Sequence, residues 1–175
     1  KENWTQLVYY NIPASTVETQ YYQYKYTAYE PIEARYVRIS FGFTGWGFVD
    51  EIEILAQAEG IVDESNNLAL HKTYTSTPEA DPSQPDTSSL TKLTDGRTGV
   101  ADMTQLAWVG YLAGSGNTEI VVDLGEESTF EQVGANFLND TNNNISIPSQ
   151  VTVSYSSDGQ SWNNFAQMAL DPISS

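Results

Sequence analysis

Arg35-Tyr36-Val37-Arg38-Ile39-Ser40-Phe41 is the stretch that decides the fold class. Successive side chains of an extended chain point to opposite faces, so Val37, Ile39 and Phe41 share one side and Tyr36, Arg38 and Ser40 the other. The same alternation returns in Val151-Thr152-Val153-Ser154-Tyr155 and in Val133, Ala135 and Phe137. Ile120-Val121-Val122-Asp123-Leu124, closed by Gly125, is short, apolar and β-branched, which marks a buried strand. Ser157-Asp158-Gly159 follows the Val151 run as a hairpin turn with Gly159 at the positive-φ position. No long window repeats apolar residues at the helical spacing. Short alternating runs separated by Gly, Pro, Asn and Asp predict an all-β fold, an antiparallel β-sandwich.

Composition narrows the function classes. The chain's 175 residues suffice for one well-buried domain. An aromatic content of 12% argues against disorder. With 23 acids against 7 Lys and Arg, the formal net charge is −16. Such a surface repels polyphosphate and anionic headgroups, so nucleic acid and anionic membranes are poor partners. Neutral sugars, divalent cations and cationic surfaces stay open. The absence of cysteine excludes a disulfide framework and a thiolate metal site, and favours a bacterial surface protein over a small animal secreted domain. No apolar run is long enough to cross a membrane as a helix. Lys1-Glu2-Asn3 does not begin a signal peptide, so the chain reads as a mature or excised piece.

Two segments read as loops. Residues 57–66 are acidic and polar and look like a linker. Thr75 to Ser89 carries Pro78, Pro82 and Pro85 and is expected to be a long irregular loop. A faint repeat relates Glu2-Asn3-Trp4-Thr5-Gln6-Leu7 to Gln160-Ser161-Trp162-Asn163-Asn164-Phe165. Catalytic motifs are missing. His71 is the single histidine, and neither a nucleophile elbow, a His-Glu-x-x-His helix nor a phosphate-binding glycine loop occurs. Glu51 and Glu53 share a strand face, but no substrate cleft for glycoside hydrolysis is indicated between them. The expectation is therefore a chain that is not an enzyme.

Asn67-Leu68-Ala69-Leu70-His71-Lys72, Leu93-Thr94-Asp95-Gly96-Arg97 with Trp108 after it, Glu119 to Gly125, and Pro148 to Trp162 resemble, in that order, the head of a discoidin-like domain. This is the coagulation factor 5/8 C-type fold, which includes the family 32-like carbohydrate-binding modules. Ala34 to Ile39 and Asp50-Glu51-Ile52-Glu53-Ile54 resemble the penultimate and last strands of the same kind of domain. Residues 1–56 thus match the tail and 67–175 the head, in swapped order, with 57–66 between them. A cut from a tandem array, a circularly permuted domain and exchange between chains all explain this order. One complete sandwich assembled from head and tail is favoured, because unpaired halves would expose strand edges.

The resemblance implies a discoidin-like jelly roll, an extracellular, secreted or cell-surface location, and binding of a polysaccharide or glycan. It also implies a structural calcium ion. Asp95 and Glu51 match the family's carboxylate ligands, and Arg97 and Thr98 could add loop oxygens. Hard cations take several such oxygen ligands. Alternatively, Asp95-Gly96 is a plain turn and Glu51 a solvated acid. For the sugar, Trp46 between Gly45 and Gly47 is a stacking platform or a plug at the end of the sandwich. Tyr111 is placed on a loop. In Tyr21-Tyr22-Gln23-Tyr24-Lys25-Tyr26, Tyr24 shares a face with Tyr22 and Tyr26 that packs or binds. Trp4, Trp108 and Trp162 are read as structural. Asp140-Thr141-Asn142-Asn143-Asn144 lacks the Gly and Glu of a helix-loop-helix calcium loop, so it is expected to be a polar connection. A second function fits the swapped order: a structural subunit of a fibre or surface layer built by strand exchange.

Overall fold

The computed structural model describes residues 19–57, 65–83, 91–104, 106–148 and 150–164, and the backbone of 169–171. The chain is all-β: β1 (Thr19–Phe41), β2 (Trp46–Leu55), β3 (Tyr74–Thr77), β4 (Val109–Leu112), β5 (Thr118–Asp140), β6 (Val151–Ser156), β7 (Asn163–Asn164) and β8 (Ala169–Asp171). Single turns of 3₁₀-helix at Lys92–Thr94 and Thr141–Asn143 complete the secondary structure of the described residues. All strand pairings are antiparallel. The hydrogen-bonded order is β4-β2-β5-β1-β6-β7, with β3 attached to β5 and β8 to β1.

Two long strands shape the molecule. β1 and β5 each have 23 residues and pair along most of their length. Straight, each would span roughly 76 Å, against a radius of gyration of roughly 16 Å for a compact chain of this size. They therefore bend, and the register shifts between Thr27 and Ile32 and between Ala34 and Tyr36 mark the place. The bend divides the curled sheet into two limbs. In the first, the early half of β1 and the late half of β5 continue through β2 to β4. In the second, the late half of β1 and the early half of β5 are flanked by β6 and β3.

The core lies between the limbs. Phe41 of the second limb meets Phe137 of the first edge-on, with ring centroids 4.9 Å apart. Val37, Ile39, Val122 and Val153 are buried with Tyr22, Tyr24, Val49, Ile52 and Ile54 in a single apolar cluster. The alternation of Arg35–Phe41 is thus a core-facing pattern, as its period implies. A smaller cluster of Phe48, Trp108, Leu138 and Ile145 sits apart, with Trp46, Tyr21 and Met103 packed on it.

Several details depart from the sequence reading. The Ile120–Leu124 and Val133–Phe137 runs are parts of one bent strand, not two. Asn67–Lys72, matched to the start of the resembled head, forms turns; a bridge between Leu55 and Asn67 and the Leu68 N–H donating to Ile54 O at 2.7 Å tie it to the sheet. Asn67 Oδ1 accepts the main-chain N–H groups of Ile54 and Ala69, each at 3.1 Å, which holds that turn. Thr75–Thr77 belongs to β3, because β5 supplies a partner at Val121, Ile120 and Glu119. Gly159 has φ 72°, as the hairpin requires. The connection after Asp140 is polar, with Asn143 Nδ2 donating to Asp140 Oδ2 at 2.8 Å. Trp4 and the Glu2–Leu7 half of the faint repeat lie outside the described residues, as do parts of the linker and of the proline-rich loop.

The segments read as tail and head meet inside one chain. β1 and β2 pair with β5, and β1 also pairs with β6. Among the described residues these pairings are all made within the one chain.

Candidate functional site

β2 breaks its alternation once. Val49 pairs with Phe137 and Ile52 with Ala135, so Asp50 and Glu51 together stand opposite Asn136. This is a β-bulge, and it re-aims side chains where a regular strand would send one into the core. Asp50 is 0% exposed and Glu51 2%. Adjacent carboxylates buried from water are costly unless donors or cations reach them.

The loop of residues 95–99 brings donors. Gly99 N–H donates to Asp50 Oδ2 at 2.5 Å, and the main-chain N–H of Glu51 donates to Asp50 Oδ1. The Asn136 side chain also hydrogen-bonds Asp50. Gly96 N–H lies 3.2 Å from each oxygen of Glu51. Gly99 is fixed by close approach: a Cβ there would lie 2.5 Å from Trp108 Nε1. Trp108 is fully buried and donates to Val100 O at 3.0 Å, so it props this loop from beneath.

The donors do not offset burial. Desolvation pushes Asp50 up to about 7 despite its hydrogen bonds. It pushes Glu51 up to about 9, and the charges acting on Glu51, those of Asp50, Asp95 and Glu53, are all negative. Asp95 is half-buried and accepts Arg97 N–H at 3.0 Å, while Arg97 and Thr98 are exposed. The Asp95 charge therefore reaches Glu51, whereas Arg97 and Thr98 follow it on the exposed part of the loop, and the charges acting on Glu51 leave it short of positive charge. Oxygen-only donors of this kind fit a hard cation such as calcium. Among the described residues no group of three or more His, Cys, Asp or Glu is arranged to hold a metal ion. Main-chain or hydroxyl oxygens of the loop would have to complete the shell. Asp50 is absent from the sequence-based set, because only the bulge turns it toward the loop.

The aromatic candidates do not converge. Tyr24 is buried; its ring meets Phe137 edge-on at 5.1 Å and its hydroxyl donates to Pro148 O. Tyr111 is not on a loop: it lies in β4 opposite Gly47, fully buried, 6.2 Å from Phe41. Burial raises the hydroxyl pKa of both. Neither ring is available to stack on a ligand, which corrects their assignment as binding residues. Trp46 is half-buried at the start of β2, with Phe48 6.2 Å away and Leu112 as its exposed cross-strand partner.

A cleft opens instead at the end of the sandwich where β1, β5 and β6 meet their loops. Its volume is about 480 Å³. Phe43 and Thr44 line it from the turn after β1, Ser115 and Asn117 from the turn before β5, and Gln150 and Thr152 from the start of β6. Three glycines, Gly42, Gly114 and Gly116, keep its walls low. Among the described residues no charged side chain lines it, in a chain with 23 acids.

The walls are tied. Thr44 N–H donates to Ser146 Oγ at 3.0 Å, and the same hydroxyl donates back to Thr44 O at 2.7 Å. Ala113 N–H reaches Gly45 O at 2.9 Å. Asn117 Nδ2 donates to Ser40 Oγ at 3.3 Å, and its amide oxygen lies over Gly42. The Phe43 ring rests against Gly47 and 5.9 Å from Phe41. An aromatic ring among hydroxyls and amides can pair with a ligand that is apolar on its C–H faces and rich in hydroxyls. Sequence reasoning passed over these residues; the Gly-rich, polar Gly114-Ser115-Gly116-Asn117 turn was the available signal. No family model, no curated protein and no solved structure matches the chain.

Proposed function

We propose that this chain is a non-catalytic carbohydrate-binding module of the discoidin-like kind, part of a secreted or cell-surface protein, that takes a neutral glycan in the end cleft. The observation that carries this reading is the lining of the cleft: among the described residues it consists of hydroxyls, amides and one aromatic ring, without a charged group, on a strongly acidic protein. Pockets of this size hold small ligands with a few placed polar groups. Glycoside hydrolysis needs two carboxyl groups flanking the bond. The buried acids Asp50 and Glu51 do not line the cleft. Calcium, in this reading, neutralises Asp95 and Glu51 and pins the 95–99 loop to β2. Its work is structural. The ion and the sugar occupy separate places.

Calorimetric titration with a panel of neutral and acidic oligosaccharides tests the reading. Saturable binding of neutral members, lost in Phe43→Ala and weakened about tenfold in Asn117→Ala, is the expected result, since one lost good hydrogen bond in a site costs about 1.4 kcal/mol. Unchanged binding in both variants, or a response confined to acidic glycans, would refute it.

A further inference from the structure

The cleft does not end at its rim. Thr152 is an outward residue of β6 and pairs with Ser40 of β1, which pairs in turn with Glu119 of β5. Asn117, in the cleft wall, donates to Ser40. One alternation further along β1 stands Arg38, facing Ser154 and Val121. Residues on one face of a strand repeat at roughly 6.6 Å, so Arg38 lies one such step beyond the cleft.

Arg38 belongs to a small assembly of its own. Its guanidinium carbon stacks 4.4 Å over the Trp162 ring. Its nearest Glu119 contact is 3.7 Å, longer than a hydrogen bond, and its Nε has no partner. Arg35, three residues earlier in β1, is different: it grips Asp123 through two nitrogens at 2.8 and 2.9 Å. Arg38 is thus oriented by stacking, with Glu119 beside it 44% exposed, and neither is consumed by a close ion pair. Beyond this point the face is covered: Ser154 is buried and donates to Asn164 of β7 at 2.7 Å.

We propose that the cleft and the Arg38–Glu119–Trp162 assembly are two subsites of one track, and that the ligand is an uncharged oligosaccharide of at least two units, not a single terminal sugar. The inference rests on the carbohydrate reading of the cleft. The second subsite carries one positive and one negative group, so it adds hydrogen-bonding capacity for sugar hydroxyls without selecting a charge. An aromatic ring flanks them as Phe43 flanks the first. The track closes at β7, which gives the bound chain a direction.

The test uses neutral oligosaccharides of one linkage, from monosaccharide to tetrasaccharide, titrated into the whole chain and followed by amide shifts and tryptophan fluorescence. The disaccharide should bind about tenfold tighter than the monosaccharide, which corresponds to about 1.4 kcal/mol. Its shifts should reach Arg38, Glu119 and the Trp162 indole N–H. Glu119→Gln and Trp162→Phe, both checked for an unchanged melting profile, should bring the disaccharide affinity down toward that of the monosaccharide. Equal affinities, with shifts confined to Phe43, Thr44, Asn117 and Gln150, overturn the two-subsite proposal and leave the cleft reading standing. Absence of any glycan response overturns both.

Discussion

At the scale of single residues the clearest consequence belongs to Asp50 and Glu51. Both hold their protons more tightly in the folded chain than when unfolded, Asp50 to about 7 and Glu51 to about 9. The folded state therefore binds more protons over that range, and raising the pH favours unfolding. In chelator, the stability these two groups contribute should be greatest below the ordinary carboxylate range, fall from there up to about pH 7 through both, and fall less steeply from there to about pH 9 through Glu51 alone. Excess calcium should flatten this fall, because the ion rewards the ionised forms. Glu51→Gln should remove the upper part of the slope and the response to calcium, as read by thermal melts across pH. A melting temperature indifferent to calcium in the parent protein would refute the ion. Gly99→Ala forces a methyl onto Trp108 and should cost roughly 1–3 kcal/mol in chemical denaturation. Asp95 and Glu51 stood out in the sequence as candidate ligands, because each lies in a short recognisable pattern. Asp50 was not, because a bulge is decided by the partner strand and leaves no mark in a local pattern.

At the scale of elements, legibility followed the strength of alternation. Arg35–Phe41 and Val151–Tyr155 read correctly, since the facing core rewards every second side chain. β4 did not, since Val109-Gly110-Tyr111-Leu112 is short and its pairing comes from β2. That error put Tyr111 on a loop. Likewise Gly125-Glu126-Glu127-Ser128 looks like a turn, yet β5 runs through it and resumes its pairing with β1 at Ser128, opposite Ala34. Two substitutions probe these elements. Phe137→Ala removes a ring that touches both Phe41 and Tyr24 and should cost about 3–5 kcal/mol. Gly134→Ala should do the opposite. Its Cβ would meet Glu53 Oε2 at 3.5 Å and Tyr24 O at 3.6 Å, which are ordinary contacts. Removing glycine's extra freedom in the unfolded chain should raise stability by about 0.5–1 kcal/mol. Denaturant midpoints decide both; a destabilised Gly134→Ala would show that this part of β5 needs the glycine.

For the whole molecule, β1 and β5 are common to both limbs, so neither limb can lose its order while the other keeps its own. One cooperative transition is expected, with tryptophan fluorescence and far-ultraviolet dichroism giving the same midpoint. Light scattering should report a monomer at low concentration, because the two long strands find their partners within one chain; a concentration-dependent mass would favour assembly through strand exchange. The sharing of long strands also bears on how the protein is made. Partners of β1 leave the ribosome roughly 80 to 120 residues after it, a delay of roughly 4–24 s at ordinary rates of synthesis. During that interval a tyrosine-rich nascent segment has no ladder to join. The chain's excess of acids then matters before folding, by keeping neighbouring growing chains apart until the second long strand arrives.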